Sequence, residues 1–385
     1  MPWKSMDVMD QRIEFTVRAV QERANVSALC RAYRISRQTG YRWINRHVEK
    51  GSFGELSDAS RRPENSPTRT PASKERAVIE LRNRYGWGAK KIQLLLKRRR
   101  IELTVPTINR IISRNGLVKP EDSHKQATRR FQRESPNDLW QMDFKGWYGY
   151  MGGQCHPLSI LDDCSRYGVG LYALESSQAD GVHSRLVRAF REHGVPSEML
   201  MDHGCPWWST TNGHGLTWLS VELIKQGIGL VYSGVGHPQT QGKVERFNGT
   251  LAAAVRHYGR PERLERWQEL FDRFLRDYNE VRPHEALGMA VPASRYKRSE
   301  RQYREVPEEW EYPSGAIVRK LNPQGCLDYK GQRHFVCEAL AGERVRLEEA
   351  SGKVLVSYRH MYIREIDADS GSTRALVLPK SQTKV

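Results

Sequence analysis

Apolar residues recur at helical spacing through the first 118 residues, then alternate or run together through most of the rest. Residues 8–50 predict three short helices: Arg12 to Ala24, Val26 to Tyr33, and Arg37 to Arg46, the last behind Ser36, a residue suited to an N-cap. Tyr41, Trp43 and Ile44 are expected to face inward, leaving Arg37, Gln38, Arg42 and Arg46 outside. That is the pattern of a helix-turn-helix whose last helix reads DNA, because guanidinium and amide groups match phosphates and base edges. An ordinary helical bundle is the plain alternative. Residues 51–69, rich in Ser, Pro and Arg, predict a linker.

A second helical unit of the same kind is expected over 70–118: one helix to Tyr85, one from Ala89 to Arg99, and one from Thr104 to Arg114 with Pro106 in its first turn. The run Lys97-Arg98-Arg99-Arg100 suits a phosphate clamp or a solvated helix end. Residues 119–137 are polar and basic and predict a second linker. From 138 to 297 the texture changes. Strands are expected at 139–144, 155–162, 167–174, 198–201 and 229–233, and helices near 179–193, 216–226 and 242–257. That order implies a mixed sheet covered by helices. An amphipathic helix follows over 261–281. Short alternating strands over 316–366 predict a small all-β barrel of SH3-like size, and 367–385 reads as a disordered tail.

Charge sharpens this division. The chain of 385 residues carries a formal net charge of +17, and residues 1–137 hold 30 Lys and Arg against 14 Asp and Glu, so nearly all the excess lies in the helical front end. A polyanion partner is the implied consequence. The six cysteines (30, 155, 164, 205, 326 and 337) show neither a Cys-x-x-Cys pair nor a Cys/His zinc spacing, and read as reduced, packed thiols. With neither an apolar leader nor a membrane span, a cytoplasmic, nucleoid-associated protein is expected.

Three acids stand out in the central segment. Asp143 ends the alternating run Leu139-Trp140-Gln141-Met142-Asp143, Asp202 closes the apolar Met199-Leu200-Met201, and Glu245 lies where a turn, His237 to Gln241, enters a helix. Carboxylates in apolar strand sequence are costly without a partner. Three of them from distant parts of the chain, near strand ends, suit oxygen-loving divalent cations held against a phosphate. Asp162 and Asp163 compete for the role but read as turn residues, with Arg166 near one of them. Lys243 and Arg246 flank Glu245 and suit a DNA backbone; His237 suits an auxiliary or capping role. Trp207 and Trp208 suit either loop packing or stacking on an unpaired base. Arg282-Pro283-His284 reads as a helix stop.

These segments, with Leu161-Asp162-Asp163-Cys164-Ser165-Arg166 and Tyr278-Asn279-Glu280-Val281-Arg282-Pro283-His284, resemble the DDE transposases of bacterial insertion sequences, over about residues 10–295. The resemblance implies an RNase H-like, retroviral-integrase-like α/β core. It also implies that Asp143, Asp202 and Glu245 form a catalytic triad for two Mg²⁺ or Mn²⁺ ions, and that transposon ends are cleaved and joined to target DNA. Its implied partners are double-stranded DNA, both the terminal inverted repeats and the target, and a second copy of the chain. A DNA-binding repressor with a silent core, or a nuclease without strand transfer, are the alternatives. The chain departs from the pattern at His203, where many relatives have Asn, and at Ala252, where many have a basic residue. The stretch Trp207 to Gly215 lengthens the gap between Asp202 and Glu245, and its composition predicts a mobile loop.

Overall fold

A computed structural model describes residues 7–51, 56, 69–118, 132–211, 215–233, 241–367 and 370–379. The chain forms two compact units divided after Thr70.

The first unit holds α1 (Val8–Ala19), α2 (Val26–Ala32) and α3 (Arg37–Lys50). Each starts at a side-chain cap: Asp7, Asn25 and Ser36 accept from the backbone N–H three residues on. Phe15, Cys30 and Trp43 are buried. Tyr41, expected inside, is 51% exposed. The inward face of α3 is set by Gly40 and Trp43, and Tyr41 stands one helical step off it. Gly40 permits the close approach, since a Cβ there would lie 2.5 Å from Cys30 Sγ and 3.0 Å from Phe15 Cζ.

The second unit begins with α4 (Ala72–Tyr85), α5 (Ala89–Arg98) and α6 (Val105–Arg114), packed through Val78, Leu81, Ile92, Leu96, Ile108 and Ile111. Thr104 caps α6, and Gly86 ends α4 in a left-handed conformation that favours glycine.

The central sheet is built from β1 (Leu139–Phe144), β2 (Tyr148–Tyr150), β3 (Gly153–Asp162), β4 (Gly168–Leu174), β5 (Glu198–Met201) and β8 (Gly229–Tyr232). Strand β3 pairs antiparallel with β1, β2 and β4, while β5 runs parallel to both β1 and β8. Residues on β3 and β4 alternate between two cores. Leu158, Ile160, Tyr172 and Leu174 face α7 (Ala179–His193), through Val182, Leu186 and Phe190. Leu161, Leu171 and Ala173 join Phe247, Leu251, Trp267 and Phe271 of α9 (Gly242–Tyr258) and α10 (Leu264–Arg276). Covering on both faces explains why β4 is buried along its whole length. Between β5 and β8 lie the two-residue strands β6 (Trp208–Ser209) and β7 (Gly215–Leu216), then α8 (Trp218–Lys225). Asp277–Val281 continues α10 as a π-helical turn, where Asn279 exchanges hydrogen bonds of 2.8 and 2.9 Å with the backbone of Gly168.

Strands β9 (Ile317–Lys320), β10 (Cys326–Tyr329), β11 (Gln332–Phe335), β12 (Arg344–Ala350), β13 (Lys353–Tyr358), β14 (Met361–Asp367) and β15 (Thr373–Pro379) complete the chain. They do not close into the expected barrel. The order β15-β14-β13-β12-β9 is open, and β10 and β11 form a separate ribbon. Closure needs the two outer strands to meet. Here β15 lies alongside β8 instead, so closely that a Cβ on Gly229 would touch Pro379 at 3.5 Å. Residues 373–379, expected in a disordered tail, pair with the edge of β14. No helix among the described residues is long and apolar enough to cross a membrane.

Candidate active site

The alternation in β1 divides its side chains cleanly. Trp140 and Met142 join the α7 core, so Gln141 and Asp143 face α9. The parallel register with β5 runs Leu139–Glu198, Trp140–Met199 and Gln141–Leu200. Carried on past its last pair, it sets Asp143 beside Asp202 at the carboxyl ends of adjacent strands. Glu245 stands exposed in the first turn of α9, whose Val244, Phe247, Leu251 and Val255 are buried against the sheet.

Asp143 is half-buried, and its carboxyl is pushed up to about 6. Burial is the main cause, and the charges of Asp202 and Glu245 both add to it, while the Asn248 hydrogen bond opposes it. The three acids therefore share one electrostatic environment. Among the described residues, no three His, Cys, Asp or Glu side chains stand close enough to hold a single metal ion. His237 lies outside the described residues.

Each Asp is held by neutral donors. Asn248 Nδ2 donates to Asp143 Oδ2 at 2.8 Å. Gly204 N and Trp207 Nε1 donate to Asp202 Oδ1 at 3.0 and 2.9 Å. Trp207 is buried, stacks on Phe144 at 5.6 Å and serves as packing and as a donor. Trp208 and Tyr232 enclose His203, with ring centroids at 4.6 and 5.3 Å from it. The chain on either side of 212–214 forms the β6–β7 ribbon.

Asp162 and Asp163 are both fully buried, deeper than a surface turn. Asp162 caps its turn, accepting from Asn137 N, Ser165 N and Ser165 Oγ. Burial raises its carboxyl despite these donors. Asp163 accepts from Arg133 N and Gln141 Nε2, both at 2.7 Å. Arg166 reaches the backbone carbonyls of Asp163 and Cys164. Lys243, expected on a DNA backbone, is turned inward instead, 2.5 Å from Asp163 Oδ1 with its side chain 15% exposed. Lys243 supplies the counter-charge that offsets the burial of the Asp163 carboxylate. Burial lowers the Lys243 ammonium to about 8. Arg246 remains exposed.

On α3, Arg37, Gln38 and Arg42 are exposed; Arg46 is half-buried, and the guanidinium groups of Arg12, Arg42 and Arg46 lie 4.2, 5.3 and 5.6 Å from the Trp43 ring. Lys97, Arg98 and Arg100 are exposed at the end of α5, while Arg99 forks onto Glu80 at 3.1 and 3.2 Å. Beyond the π-turn, Arg282 lies 5.6 Å from the Trp87 ring, and His284 packs against Tyr278 at 4.6 Å, where burial drives its imidazole down to about 3. His257 meets the Asn83 carbonyl at 2.7 Å, which helps fasten the second helical unit to the core.

Two roles were missed in the sequence. Asn248 sits three residues after Glu245, a helical spacing that places both on neighbouring ground. Gln141 sits two before Asp143, the strand spacing for one shared face.

A homeodomain-like domain model matches residues 8–53, a second homeodomain-like model matches 39–112, and an integrase core domain model matches 226–292, a stretch that includes Glu245. An uncharacterised 31.7 kDa protein of insertion element IS407 from Burkholderia multivorans is 24% identical over 230 residues, spanning 56% of this chain and 78% of its own length. The resemblance to insertion-sequence transposases with an integrase-like core holds. Among solved structures, a simian T-cell lymphotropic virus intasome chain aligns over 79% of this chain and 96% of its own, with a TM-score of 0.38 and 16% identity. The HTLV-2 integrase catalytic core domain in complex with magnesium aligns over 42% and 97%, with a TM-score of 0.33 and 16% identity. Homeodomain-like models thus match ahead of an integrase core domain model, and the curated relative belongs to an insertion element.

Proposed function

We propose that this protein is a transposase that cleaves DNA at the terminal inverted repeats of a mobile element and joins the freed 3′ ends to target DNA. The observation that carries the reading is the position of Asp143 and Asp202 at the carboxyl ends of adjacent parallel strands, with Glu245 in the first turn of the helix packed on that sheet; the charges of Asp202 and Glu245 add to the burial that raises the Asp143 carboxyl. A divalent cation would relieve that repulsion, and an all-oxygen set of carboxylates is the donor chemistry that Mg²⁺ and Mn²⁺ prefer. As they stand, Asp143, Asp202 and Glu245 do not share a site for a single ion; drawn together by the cations, they would hold two such ions. When bound, the ions supply Lewis acidity at the scissile phosphate and make water or a 3′-hydroxyl a competent nucleophile.

The chain's own residues orient this centre. Asn248 fixes one oxygen of Asp143, and Trp207 and Gly204 fix one oxygen of Asp202. Arg246, exposed beside Glu245, suits the phosphate backbone near the cut. Arg37, Gln38 and Arg42 on α3, with Arg46 beside them, suit the reading of a terminal repeat, and Lys97, Arg98 and Arg100 suit its backbone. Two ends handled together call for at least two copies of the chain.

The test is Mg²⁺-dependent nicking of DNA by the intact protein beside Asp202→Ala. The reading predicts nicking by the wild type, and DNA binding without nicking by the variant. A variant that nicks at the wild-type rate removes Asp202 from the chemistry.

A further inference from the structure

We infer that Asp163, Gln141 and Lys243 form a positioning device that sets the first turn of α9, and with it Glu245, against the strand that carries Asp143. The inference rests on the reading of Asp143, Asp202 and Glu245 as the reacting centre.

A helix leaves the N–H groups of its first turn without partners inside the helix. The N-cap residue of α9, Gln241, makes no side-chain cap. One of the orphaned donors, Val244 N, is taken from outside the helix by Gln141 Oε1 at 3.1 Å. Gln141 belongs to β1, two residues before Asp143, and Val244 directly precedes Glu245. The cap therefore spans the two elements whose separation decides how far Glu245 stands from Asp143.

Asp163 decides which way the Gln141 amide points. Its Oδ1 accepts from Gln141 Nε2 at 2.7 Å, which turns Oε1 toward Val244. The same Oδ1 receives the Lys243 ammonium at 2.5 Å, and the Asp163 carbonyl receives it again at 3.2 Å. Lys243 and Val244, consecutive in the first turn, are thus tied to one fixed point beside β1. Asp163 and Gln141 are both fully buried, so water does not compete for these bonds. Arg133 N closes the remaining oxygen of Asp163 at 2.7 Å. Asp163 itself touches none of the three proposed metal ligands in this network and acts through Gln141 and Lys243.

A device of this kind differs from a merely stabilising one in what its loss moves. The experiment compares intact Gln141→Met, Lys243→Met, and the neutral pair Asp163→Asn with Lys243→Gln, with Asp143→Asn as a reference. Amide exchange at Val244 is followed in metal-free, DNA-free protein, and kcat and KM are followed for Mg²⁺-dependent nicking. Expected are Val244 exchange faster by roughly tenfold or more in Gln141→Met and Lys243→Met, and kcat lower by roughly 10- to 100-fold with KM for DNA little changed. The neutral pair, which keeps a hydrogen-bonded link without burying an unpaired charge, should regain most of both. Gln141→Met introduces no charge, so it keeps the question open to an answer if Lys243→Met fails to fold. A folded Gln141→Met with wild-type exchange at Val244, or with faster exchange and a wild-type kcat, overturns the inference. If Asp143→Asn nicks at the wild-type rate, the reading of the reacting centre fails instead, and the exchange data still decide whether Gln141 caps α9.

Discussion

The Asn248 side chain bridges two elements at once: its Nδ2 donates to Asp143 Oδ2 at 2.8 Å, and its Oδ1 accepts from Ser159 Oγ at 2.7 Å. Asn248 and Ser159 are buried, so Asn248→Leu keeps the volume but strands a hydroxyl and removes a donor to Asp143. The expected loss is about 1–3 kcal/mol of folding stability, read by denaturant unfolding. The Asp143 carboxyl should also titrate higher, because the Asn248 bond holds it down. An unmoved Asp143 titration by carboxyl NMR contradicts this arrangement.

The metal-free protein should show a distinct pH dependence. Asp143 titrates near 6 in the folded chain against 3.8 for an ordinary Asp. Between those values the folded state keeps a proton that the unfolded state has released. Stability from this group is therefore greatest at low pH, falls as pH rises through 3.8 to about 6, and is flat above. At pH 7.5 without metal, Asp143→Asn is predicted to melt higher than the wild type. Mg²⁺ should raise the wild-type melting temperature and leave that of the variant nearly unchanged. Equal Mg²⁺ responses in both proteins contradict the account.

The α5 terminus makes a separate electrostatic prediction. Lys97, Arg98 and Arg100 are exposed, whereas Arg99 is engaged with Glu80. Replacing the first three with Ala should lower the slope of log affinity against log salt by about two to three, with sequence preference intact. Arg99→Ala should lower it less. Binding titrations across salt concentrations check this, and an unchanged slope in the triple variant removes the run from the DNA interface.

In α3, Gly40→Ala sets two magnitudes against each other. Helix propensity gains up to about 1 kcal/mol. A methyl 2.5 Å from Cys30 Sγ overpacks a buried contact, at a cost of about 1–3 kcal/mol. Overpacking should win, so amide exchange across residues 8–50 is predicted to accelerate while that of the central sheet stays unchanged. Slower exchange in the first unit contradicts the packing described for Gly40.

Much of the site was legible because periodicity fixes direction. Trp140 and Met142 alternate with Gln141 and Asp143, so one face of β1 is apolar and the other polar, whatever packs on it. Ser36 marked a helix start because its short side-chain hydroxyl reaches an orphaned amide, and Pro106 marked another because proline is tolerated in a first turn. What stayed hidden were pairings between distant residues. Asp163 and Lys243 lie 80 positions apart, and alone the first reads as a turn residue and the second as a contact to a DNA backbone. Alternation in the last 70 residues announced strands, but nothing local states whether the outer two meet or one lies against β8. The polar residues on either side of the short apolar run Ala375-Leu376-Val377-Leu378 concealed a strand for which the edge of β14 offers a partner.

The most direct measurement is anomalous diffraction from crystals of the intact protein grown with DNA and Mn²⁺. The account predicts manganese peaks bounded by the carboxylates of Asp143, Asp202 and Glu245, and their loss in crystals of Asp143→Asn. Well-ordered carboxylates at this site with no manganese between them, in crystals where DNA is bound, would contradict it.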